Sequence, residues 1–544
     1  MTFGAKLFAQ PCSCNHTITN QQLAVNANSL NIQPGDTICI QAGNRDYLYL
    51  ANFHGDSLHY VVFINCGGPV IIQNNYYNYG IKIVNSKYFR FTGTGVDSIR
   101  YGFKILGTPV NTNGVNLTEK SSNFEIDHLE IANTGFAGIM SKSDPMCDLS
   151  TNRGNFTQYN PVFHDNYIHN AGGEAFYIGH SYYNGYPVTC NGIPDTLYPH
   201  EIKGCRVYNN IVENSHWDGI QVSCVTEDCE VYGNTVIGYG MDAVSSQTTG
   251  IQIGGGTTGK CYNNFISGGN GCGIIVFGTG NNIVFNNVIM DAGLNYFPDD
   301  PTKRVHGIFC DDRTTVPGRY FNFVNNTIIN VKTDGIRFSS MLSANNQIIN
   351  NLIIHPGSLG SYSNSAQSYI YLFSGTSVIQ SNNYTDPFMN NVQFRDTLND
   401  NFRLMAGSPA RETGADMSLL GVNFDFDSLS RPYSLYDIGA FEYHPENIWT
   451  GAISSSWDVA GNWSKAGVPL PDEDVIVVPG TPHPLQVTTT GKVCHHLVVC
   501  TGAGLILDTT AAITISGNLT IQQGGSINNQ GEITIKGHLM NLNQ

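Results

Sequence analysis

Apolar and polar residues alternate in short runs along most of the chain, and one such run recurs in a fixed form. A Gly-Ile pair or its equivalent opens each run, as in the stretches GIQV, GIQI and GIRF. This alternation is the pattern of a short strand with one buried face. The pairs are Gly138-Ile139, Ala175-Phe176, Gly219-Ile220, Gly250-Ile251, Gly273-Ile274, Gly307-Ile308 and Gly335-Ile336.

A second repeat, out of phase with the first, places an asparagine just before a strand-like pair. Its members are Asn166, Asn210, Asn234, Asn264, Asn287, Asn326 and Asn351, at intervals of 44, 24, 30, 23, 39 and 25 residues. The short intervals match one coil, and the long ones match a coil plus a loop. Stacked coils bury a continuous core that one coil alone cannot. Aligned asparagines tolerate left-handed backbone and can hydrogen-bond along the stack.

The two repeats together predict an all-β parallel solenoid. A leucine-rich repeat would show its leucine spacing, and a propeller would show four strands in about forty residues, but neither pattern is present. The composition agrees, with 59 glycines, 28 tyrosines, 27 phenylalanines and only 12% charged residues. Such a composition suits short strands joined by tight turns better than helices.

The Asn and Gly-Ile repeats resemble those of right-handed parallel β-helix proteins, the group that includes pectate and alginate lyases, polygalacturonase-like hydrolases and mannuronan epimerases. Residues 30–43 look like the entry strand of that group. The segments 401–404, 407–410 and 437–443 resemble the closing part of many secreted bacterial members. The resemblance covers about residues 30 to 445 and implies the fold far more than the reaction, because one solenoid hosts several chemistries.

Five segments are predicted. Residues 1–10 read as the remnant of a signal peptide, 11–120 as an N-terminal cap with the first coils, and 121–392 as the β-helix core. Residues 393–445 are the expected closing segment. Residues 446–544 form a small β-rich repeat module, which resembles repeats near the end of surface or secreted proteins of Bacteroidetes-type bacteria.

Charge and cysteine usage limit the partners. The formal charge is −16 and no basic run is present, which argues against nucleic acid as a partner. No apolar run is long enough for a transmembrane segment. The 14 cysteines are compatible with an oxidising compartment, so a secreted or cell-surface monomer that acts on a polysaccharide is expected.

Cysteine pairing is only partly suggested by the sequence. Cys147 and Cys190 could join two long insertions, and Cys224 and Cys229 could close a short loop. Cys310 falls at an inward strand position, where a buried thiol is expected. The residues of the stretch Cys494-His495-His496 with Cys500 could ligate a metal, but their spacing matches no common zinc pattern.

The main candidate site combines residues from two coils. If the Gly-Ile units stack, Glu174 and Asp218 lie one strand spacing apart, ~4.8 Å. Two carboxylates so close would have separated pKa values, as the acid and base of glycosidic cleavage require. His180 and His216 are further candidates for acid or base. We therefore predict a catalytic group of Glu174, His180, His216 and Asp218.

Residues around this group are predicted to bind sugar. Aromatic faces suit sugar rings, and amides suit hydroxyls. The insertion 181–204 adds further aromatic residues beside the same coils. The predicted substrate-binding residues are Tyr177, Tyr183, His200, Trp217, Gln221, Gln252 and Arg337.

Other readings of these residues stay open. Glu174 and Asp218 could hold calcium, the one cofactor considered, since Ca²⁺ takes carboxylate ligands. An acidic residue before glycine at a solenoid turn is also common simply because it caps backbone amides.

A second cluster, of charged residues, also has both a functional and a structural interpretation. Arg337 beside Asp311 could serve a lyase, or the cluster could be a surface ion-pair network. Its members are Lys303, Arg304, His306, Asp311, Asp312, Arg313, Asp334 and Arg337.

The sequence therefore supports two function classes. The first is a polysaccharide lyase or glycoside hydrolase with its active groove on the solenoid surface. The second is a non-catalytic surface or adhesive protein that binds glycan. An open cleft lined by the carboxylates and histidines would favour the enzyme, whereas carboxylates turned onto backbone amides would favour the binder.

Overall fold

The chain folds into stacked coils of parallel strands. The computed structural model describes residues 12–300, 302–356, 368–431, 435–537, 539–541 and 543. The predicted signal-peptide remnant, residues 1–10, lies outside this part of the chain. The described residues form strands, turns and five short 3-10 helices, Ala27–Ser29, Met389–Val392, Thr397–Asn399, Ser418–Leu420 and Ala460–Asn462.

Each coil contributes one strand to a 12-stranded parallel sheet, which we call the Gly-Ile sheet because the Gly-Ile pairs open most of its central strands. Its strands are Ala24–Asn26, Leu48–Ala51, Tyr79–Val84, Asn113–Thr118, Ile139–Ser141, Phe176–Ile178, Ile220–Val222, Ile251–Ile253, Ile274–Val276, Ile308–Cys310, Ile336–Phe338 and Ile370–Leu372.

The remaining strands of the coils form a 23-stranded sheet, which consists of two parallel columns. The first column precedes the asparagines and contains His16–Ile18, Thr37–Arg45, Val61–Gln73, Lys87–Thr92, Ser122–Asp127, Pro161–His164, Arg206–Tyr208, Cys229–Tyr232, Gly259–Tyr262, Asn282–Phe285, Phe321–Val324, Asn346–Ile349 and Val378–Ser381. The second column follows them and contains Phe103–Gly107, Leu129–Ala132, Tyr167–His169, Ile211–Glu213, Thr235–Ile237, Phe265–Ser267, Val288–Met290, Thr327–Ile329, Leu352–Ile354 and Tyr384–Asp386.

The predicted asparagine stack is present between these two columns. Side-chain amides of successive coils bond Nδ2 to Oδ1 at 2.9–3.0 Å from Asn166 to Asn383. The residue before each asparagine has left-handed backbone, as at Asp165 and Asn209 with φ of 53°. Left-handed backbone turns the chain sharply, and the amide stack satisfies buried polar groups at that corner.

Additional strands form two smaller sheets. One is a three-stranded parallel sheet of Thr157–Tyr159, Glu201–Lys203 and Val225–Glu227. The other is an antiparallel hairpin of Tyr186–Cys190 with Ile193–Leu197. The Cys147–Cys190 disulfide joins this hairpin to the preceding insertion, as predicted. Cys12–Cys66 and Cys14–Cys39 are also bonded. Cys224 and Cys229 are separate buried thiols, so the predicted bond between them is absent from the structure.

The chain divides into two compact units. One comprises residues up to 389 together with 412–440, and the other comprises 390–411 and 441–544. The expected closing segment, 393–445, is thus shared between them. In the second unit Arg395 pairs with the buried Glu473, which ties the 390–411 segment to the module.

The second unit is itself a small parallel solenoid. Its coils supply Glu446–Trp449, Asp474–Val477, Leu497–Val499, Leu519–Ile521 and Leu539–Asn541 to one sheet, Leu485–Val487, Gly504–Leu507 and Ser526–Asn529 to a second, and Lys492–Cys494, Ala512–Ile515 and Glu532–Ile535 to a third. An antiparallel pair, Phe394–Asp396 and Asn401–Leu404, accompanies them. Trp449, Trp457 and Trp463 pack in its core, together with Cys494. Cys494 is buried in the core, whereas His495 bonds Asp474 outside it, so the two histidines lie with Asp474 and not with Cys494.

Candidate functional site

The outward residues of the Gly-Ile sheet form one continuous row. Register pairs place Tyr49, Lys82, Asn116, Met140, Tyr177, Gln221, Gln252, Ile275, Phe309, Arg337 and Tyr371 on successive coils. The alignment predicted from the Gly-Ile pairs is therefore correct from Met140 to Arg337. The candidate site lies along the central part of this row.

Glu174 and Asp218 occupy matching positions on adjacent coils, as predicted. The next residues pair in register, Phe176 with Ile220, and the Ala175 amide donates to the Asp218 carbonyl. Both side chains are buried, however, at 2% and 0% exposure. The predicted carboxylate pair therefore lies under the surface of the solenoid and not in an open groove.

Burial also favours the protonated, uncharged form of both carboxyls. Burial raises the pKa of Glu174 to about 7 and raises that of Asp218 well above its usual range. The nearby Glu174 carboxyl raises the Asp218 pKa further, because two adjacent negative charges repel each other. Asp218 Oδ1 accepts a hydrogen bond from the Thr249 amide of the next coil at 2.7 Å. Asp218 thus caps a backbone amide, which is the structural role considered from the sequence.

The pair does not fit calcium well. Glu174 Oε2 and Asp218 Oδ2 are the two buried oxygens here that lack a protein partner. The carbonyls of the same residues already accept backbone amides of neighbouring coils, Gly138 and Ala175. Ca²⁺ takes six to eight oxygen ligands, so this arrangement offers too few, and no chemical step is derived through calcium.

The predicted histidines lie apart from the carboxylates. His180 follows the strand Phe176–Ile178, and His200 precedes the strand Glu201–Lys203 of the three-stranded sheet. Glu174 and Asp218 instead precede strands of the Gly-Ile sheet. His180 Nδ1 accepts the Tyr182 amide at 3.1 Å, and His200 Nε2 accepts the Ser143 amide at 3.1 Å. Burial lowers the pKa of each imidazole to about 4, so both are neutral at physiological pH.

His216 and Trp217 lie on the turn before the strand Ile220–Val222. His216 pairs with Asp242 at 3.0 Å and is half exposed. Trp217 packs edge-on against Phe136, with ring centroids 5.4 Å apart. The four predicted catalytic residues are therefore not gathered around one point, and their catalytic role stays a prediction.

An open cleft of about 340 Å³ lies beside these residues, within the size range of ligand sites. We call it the cleft. It is lined by Ser181, Tyr182, Tyr183, Asn184, Gly185, Gln221, Ser223, Ser246, Gln247, Gln252, Gly255, Phe277, Arg313 and Thr314. Three predicted substrate-binding residues, Tyr183, Gln221 and Gln252, are in this lining, whereas Tyr177, His200, Trp217 and Arg337 are not.

Amides and hydroxyls form the floor of the cleft. Gln252 Nε2 donates to Gln221 Oε1 at 3.0 Å, and Gln221 Nε2 donates to Ser181 Oγ at 3.2 Å. Ser223 Oγ and Gln247 Oε1 are buried and have no hydrogen-bond partner in the structure. Because both atoms are shielded from solvent, they lie beneath the surface of the cleft and not in its open space.

Two loops form the walls. Tyr183 is held by Arg153, whose guanidinium lies 4.1 Å from the ring centre and bonds the Tyr183 carbonyl. On the other side Arg313 lies 3.7 Å from the centre of the Phe277 ring. Asn184 Nδ2 donates to the Arg313 carbonyl and joins the two loops. Sequence analysis placed Arg313 in the second cluster and did not identify Ser223, Gln247 or Phe277.

The rest of the second cluster forms ion pairs. Asp334 accepts contacts from His306 and Arg337, each at 3.1 Å, and Arg337 lies over the Tyr371 ring. Asp312 accepts the amides of Met341 and Leu342. These contacts form an ion-pair network, as one interpretation of the sequence proposed, but Asp334 and His306 are buried, so this part of the network does not lie at the surface.

A polar network on the column of strands that precedes the asparagines was not identified from the sequence. Asp127 is buried and accepts hydrogen bonds from Arg90 Nε at 2.9 Å and from Thr92 Oγ1. His164 contacts Glu125 at 2.8 Å and Asp165 at 2.6 Å. Burial lowers the pKa of His164, but the two carboxylates outweigh burial and leave it raised.

A ladder of stacked rings continues from this network. His164, Tyr208, Tyr232, Tyr262 and Phe285 stack at 4.7–4.9 Å with planes within 7° of parallel. Each ring covers the faces of its neighbours, so the inner rings present edges and not faces to solvent. This ladder therefore stabilises the stack and offers no flat platform for a sugar ring.

Comparisons with known proteins agree with the architecture. Residues 197–386 match the family model described as right handed beta helix region, and residues 448–539 match a domain of unknown function, DUF8693. No curated protein matches the sequence. Among the described residues, no helix has the length and apolarity needed to cross a membrane.

Several solved structures are similar in fold at low identity. The pectate lyase Pel9A is 12% identical, with 80% of this chain and 98% of that chain covered and a TM-score of 0.42. An alginate lyase from Paenibacillus sp. is 13% identical, with 68% and 99% covered and a TM-score of 0.35. The GH136 lacto-N-biosidase from Eubacterium ramulus is 11% identical, with 66% and 64% covered and a TM-score of 0.43. The stacked parallel strands and the family match together show that this chain contains a right-handed parallel β-helix.

Proposed function

We propose that this protein binds a polysaccharide in the cleft. The observation that carries the proposal is the cleft itself, an open space of about 340 Å³ lined by amide, hydroxyl and aromatic side chains. Its floor holds the Gln221–Gln252 amide pair. Several hydrogen-bonding groups beside aromatic rings are what a sugar, with its hydroxyls and its apolar ring faces, requires.

Binding without cleavage is the form that the geometry supports best. No carboxylate or histidine is present among the described residues that line the cleft. Glycosidic cleavage requires an acid and a base that touch the substrate. Glu174 and Asp218 are buried, and Asp218 bonds a backbone amide. These facts favour the non-catalytic glycan-binding alternative over the lyase or hydrolase.

The enzymatic alternative rests on one specific observation. The pKa of Glu174 is raised to about 7, the range in which a carboxyl can donate or accept a proton at neutral pH. Because burial is the cause of this shift, Glu174 would serve as a general acid only if substrate reached the carboxyl without hydrating it. A glycan panel screened for released reducing ends and unsaturated uronate ends distinguishes the two, because a binder releases neither product.

The binding proposal is tested by titration calorimetry against the same glycan panel. The double variant Gln247→Met with Gln252→Met removes two amides from the cleft lining and is expected to weaken binding at least about tenfold, or ~1.4 kcal/mol. Gln347→Met is the matched control and is expected to bind normally, because Gln347 lies on the column of strands that precedes the asparagines and is not part of the cleft lining. Unchanged affinity of the double variant would show that any glycan binds elsewhere.

We also propose that the protein is a monomer in an oxidising compartment, secreted or at the cell surface. Three disulfides, Cys12–Cys66, Cys14–Cys39 and Cys147–Cys190, support this location, because such bonds persist mainly outside the cytosol. Fractionation of the source cells, with light scattering of the purified protein, tests both statements. Recovery in the cytosolic fraction, or a dimeric mass, would contradict them.

A further inference from the structure

The charge of the cleft sets which glycans it can accept. Arg313 is the one ionised side chain among the described residues that line the cleft. The other lining residues are amides, hydroxyls, tyrosines, glycines and one phenylalanine. Selection of an acidic sugar would therefore depend on this single guanidinium.

That guanidinium is already neutralised. Arg313 Nε donates to Asp311 Oδ2 at 3.0 Å, and the Arg313 amide donates to Asp311 Oδ1 at 3.1 Å. The face of the guanidinium lies on the Phe277 ring. A ligand carboxylate would have to compete with Asp311 for the same donor and would be repelled by it.

Two neighbouring cations are paired in the same way. Lys142 pairs with Asp144 at 2.6 Å, and Arg337 pairs with Asp334 at 3.1 Å. Arg153 lies behind Tyr183, where it stacks on the ring and bonds the Tyr183 carbonyl. The whole chain carries a formal charge of −16, so its long-range field also repels polyanions.

The polar groups of the lining are uncharged. Amide side chains such as those of Gln247 and Gln252 both donate and accept hydrogen bonds, so they suit sugar hydroxyls and N-acetyl groups. An acidic sugar offers the same hydroxyls but adds a carboxylate, for which the described lining has no cation other than the paired Arg313.

We propose that the cleft selects uncharged glycan, with free hydroxyls or N-acetyl groups and no acidic substituent on the bound residues. This inference rests on the proposed function and names the substrate class of the same site. It excludes polyuronates as the preferred ligand, so a requirement for a cation that bridges protein and uronate does not arise.

The test compares two ligands that differ only in charge. Galacturonan oligomers with fully methyl-esterified carboxyls and the same oligomers without esters are titrated calorimetrically into the full chain, together with neutral xylo- and manno-oligosaccharides. At least one uncharged ligand is expected to bind about tenfold or more tightly than the acidic oligomer. Its affinity is expected to change little between low and high salt, because no ion pair forms.

A variant that changes the charge beside Arg313 tests the role of Asp311. Asp311→Asn removes the carboxylate that neutralises Arg313 and keeps one acceptor for the Arg313 amide. Its affinity for the acidic oligomer is expected to rise several-fold and to become salt-dependent. Asp195→Asn, an exposed acid on the Ile193–Leu197 strand outside the cleft lining, makes the same change in net charge and is expected to have no such effect.

The outcomes separate the two proposals. Binding of the acidic oligomer more tightly than every uncharged ligand would overturn the inference of neutral selectivity while leaving glycan binding intact. Binding of no glycan by the wild-type chain would overturn the proposed function itself. An Asp311→Asn variant that gains nothing toward the acidic oligomer would show that Asp311 does not control access to Arg313.

Discussion

Glu174 gives the sharpest prediction about the solenoid, because burial places its pKa far from the ordinary value. The pKa rises from 4.5 to about 7 in the folded chain. Below pH 4.5 the carboxyl is protonated in both folded and unfolded chains and has no effect. Between pH 4.5 and 7 only the unfolded chain releases the proton, so the free energy of unfolding falls as pH rises. Above pH 7 the loss is complete.

The size of this loss follows from the shift. Each pKa unit corresponds to ~1.4 kcal/mol, so a shift of about 2.5 units costs roughly 3 kcal/mol above pH 7. Glu174→Gln replaces the carboxyl by a neutral group of the same shape and removes this cost. We expect the variant to gain about 3 kcal/mol relative to the wild type between pH 4.5 and pH 8, whatever its difference at pH 4.5.

Urea denaturation followed by far-ultraviolet circular dichroism at both pH values measures this gain. Comparison of variant with wild type at each pH cancels the titration of groups that do not interact with Glu174. Asp218 is the exception, because loss of the Glu174 charge lowers the Asp218 pKa, and this change adds to the expected gain. Glu227→Gln is the control, because the Glu227 side chain is 64% exposed and its variant should show little pH-dependent difference. If Glu174→Gln gains no more between the two pH values than the control does, Glu174 titrates normally and the buried-pair description is wrong.

Three further predictions concern other parts of the β-helix. Asn264→Ala should destabilise it by roughly 2–3 kcal/mol in the same denaturation assay, since the Asn234 backbone amide, the Val231 carbonyl and Asn287 Oδ1 each lose a buried hydrogen-bond partner. The pKa values of His180 and His200, lowered to about 4 by burial, predict that stability falls as pH drops from about 6.5 to 4, and His200→Gln should reduce that fall in thermal unfolding at stepped pH. Cys190→Ser should release the 186–197 hairpin from Cys147 and make it the first site of limited proteolysis, and equal cleavage times in both proteins would contradict this.

The repeats were enough to predict the solenoid and the register of the Gly-Ile sheet. A period that places Gln221 beside Gln252 depends only on alternation and coil length, both of which can be counted in the sequence. The parallel solenoid of the second unit was less evident, because its strands are short and its coils have no asparagine stack. Only close spacing and glycine-rich turns were visible there.

Burial of the carboxylates could not be predicted in the same way. Glu174 and Asp218 lie in the turn before the strand, where alternation no longer determines which side chains point inward. The cleft was equally hidden, since Ser223, Gln247 and Phe277 come from three coils and their contact depends on loop conformation.

The stacking of the rings could have been predicted from the sequence. Tyr208, Tyr232, Tyr262 and Phe285 each stand two residues before a stacked asparagine, and His164 has the same offset. A constant offset from a fixed corner of the coil forces such side chains into register, so their stacking followed from the asparagine positions alone.

The stacked coils and the loops constrain their side chains to different degrees. Positions at a constant offset from the stack, such as the column that holds Glu174 and Asp218, are constrained by neighbouring coils above and below. Acidic groups there are driven to protonation or to backbone amides, as Asp218 is by Thr249. Loop residues such as Tyr183 and Gln247 have no such constraint and, together with Gln221 and Gln252 of the sheet, line the cleft. Ligand recognition in this protein is therefore expected at the loops that flank the Gly-Ile sheet, and the repeating columns supply the rigid base on which those loops are held.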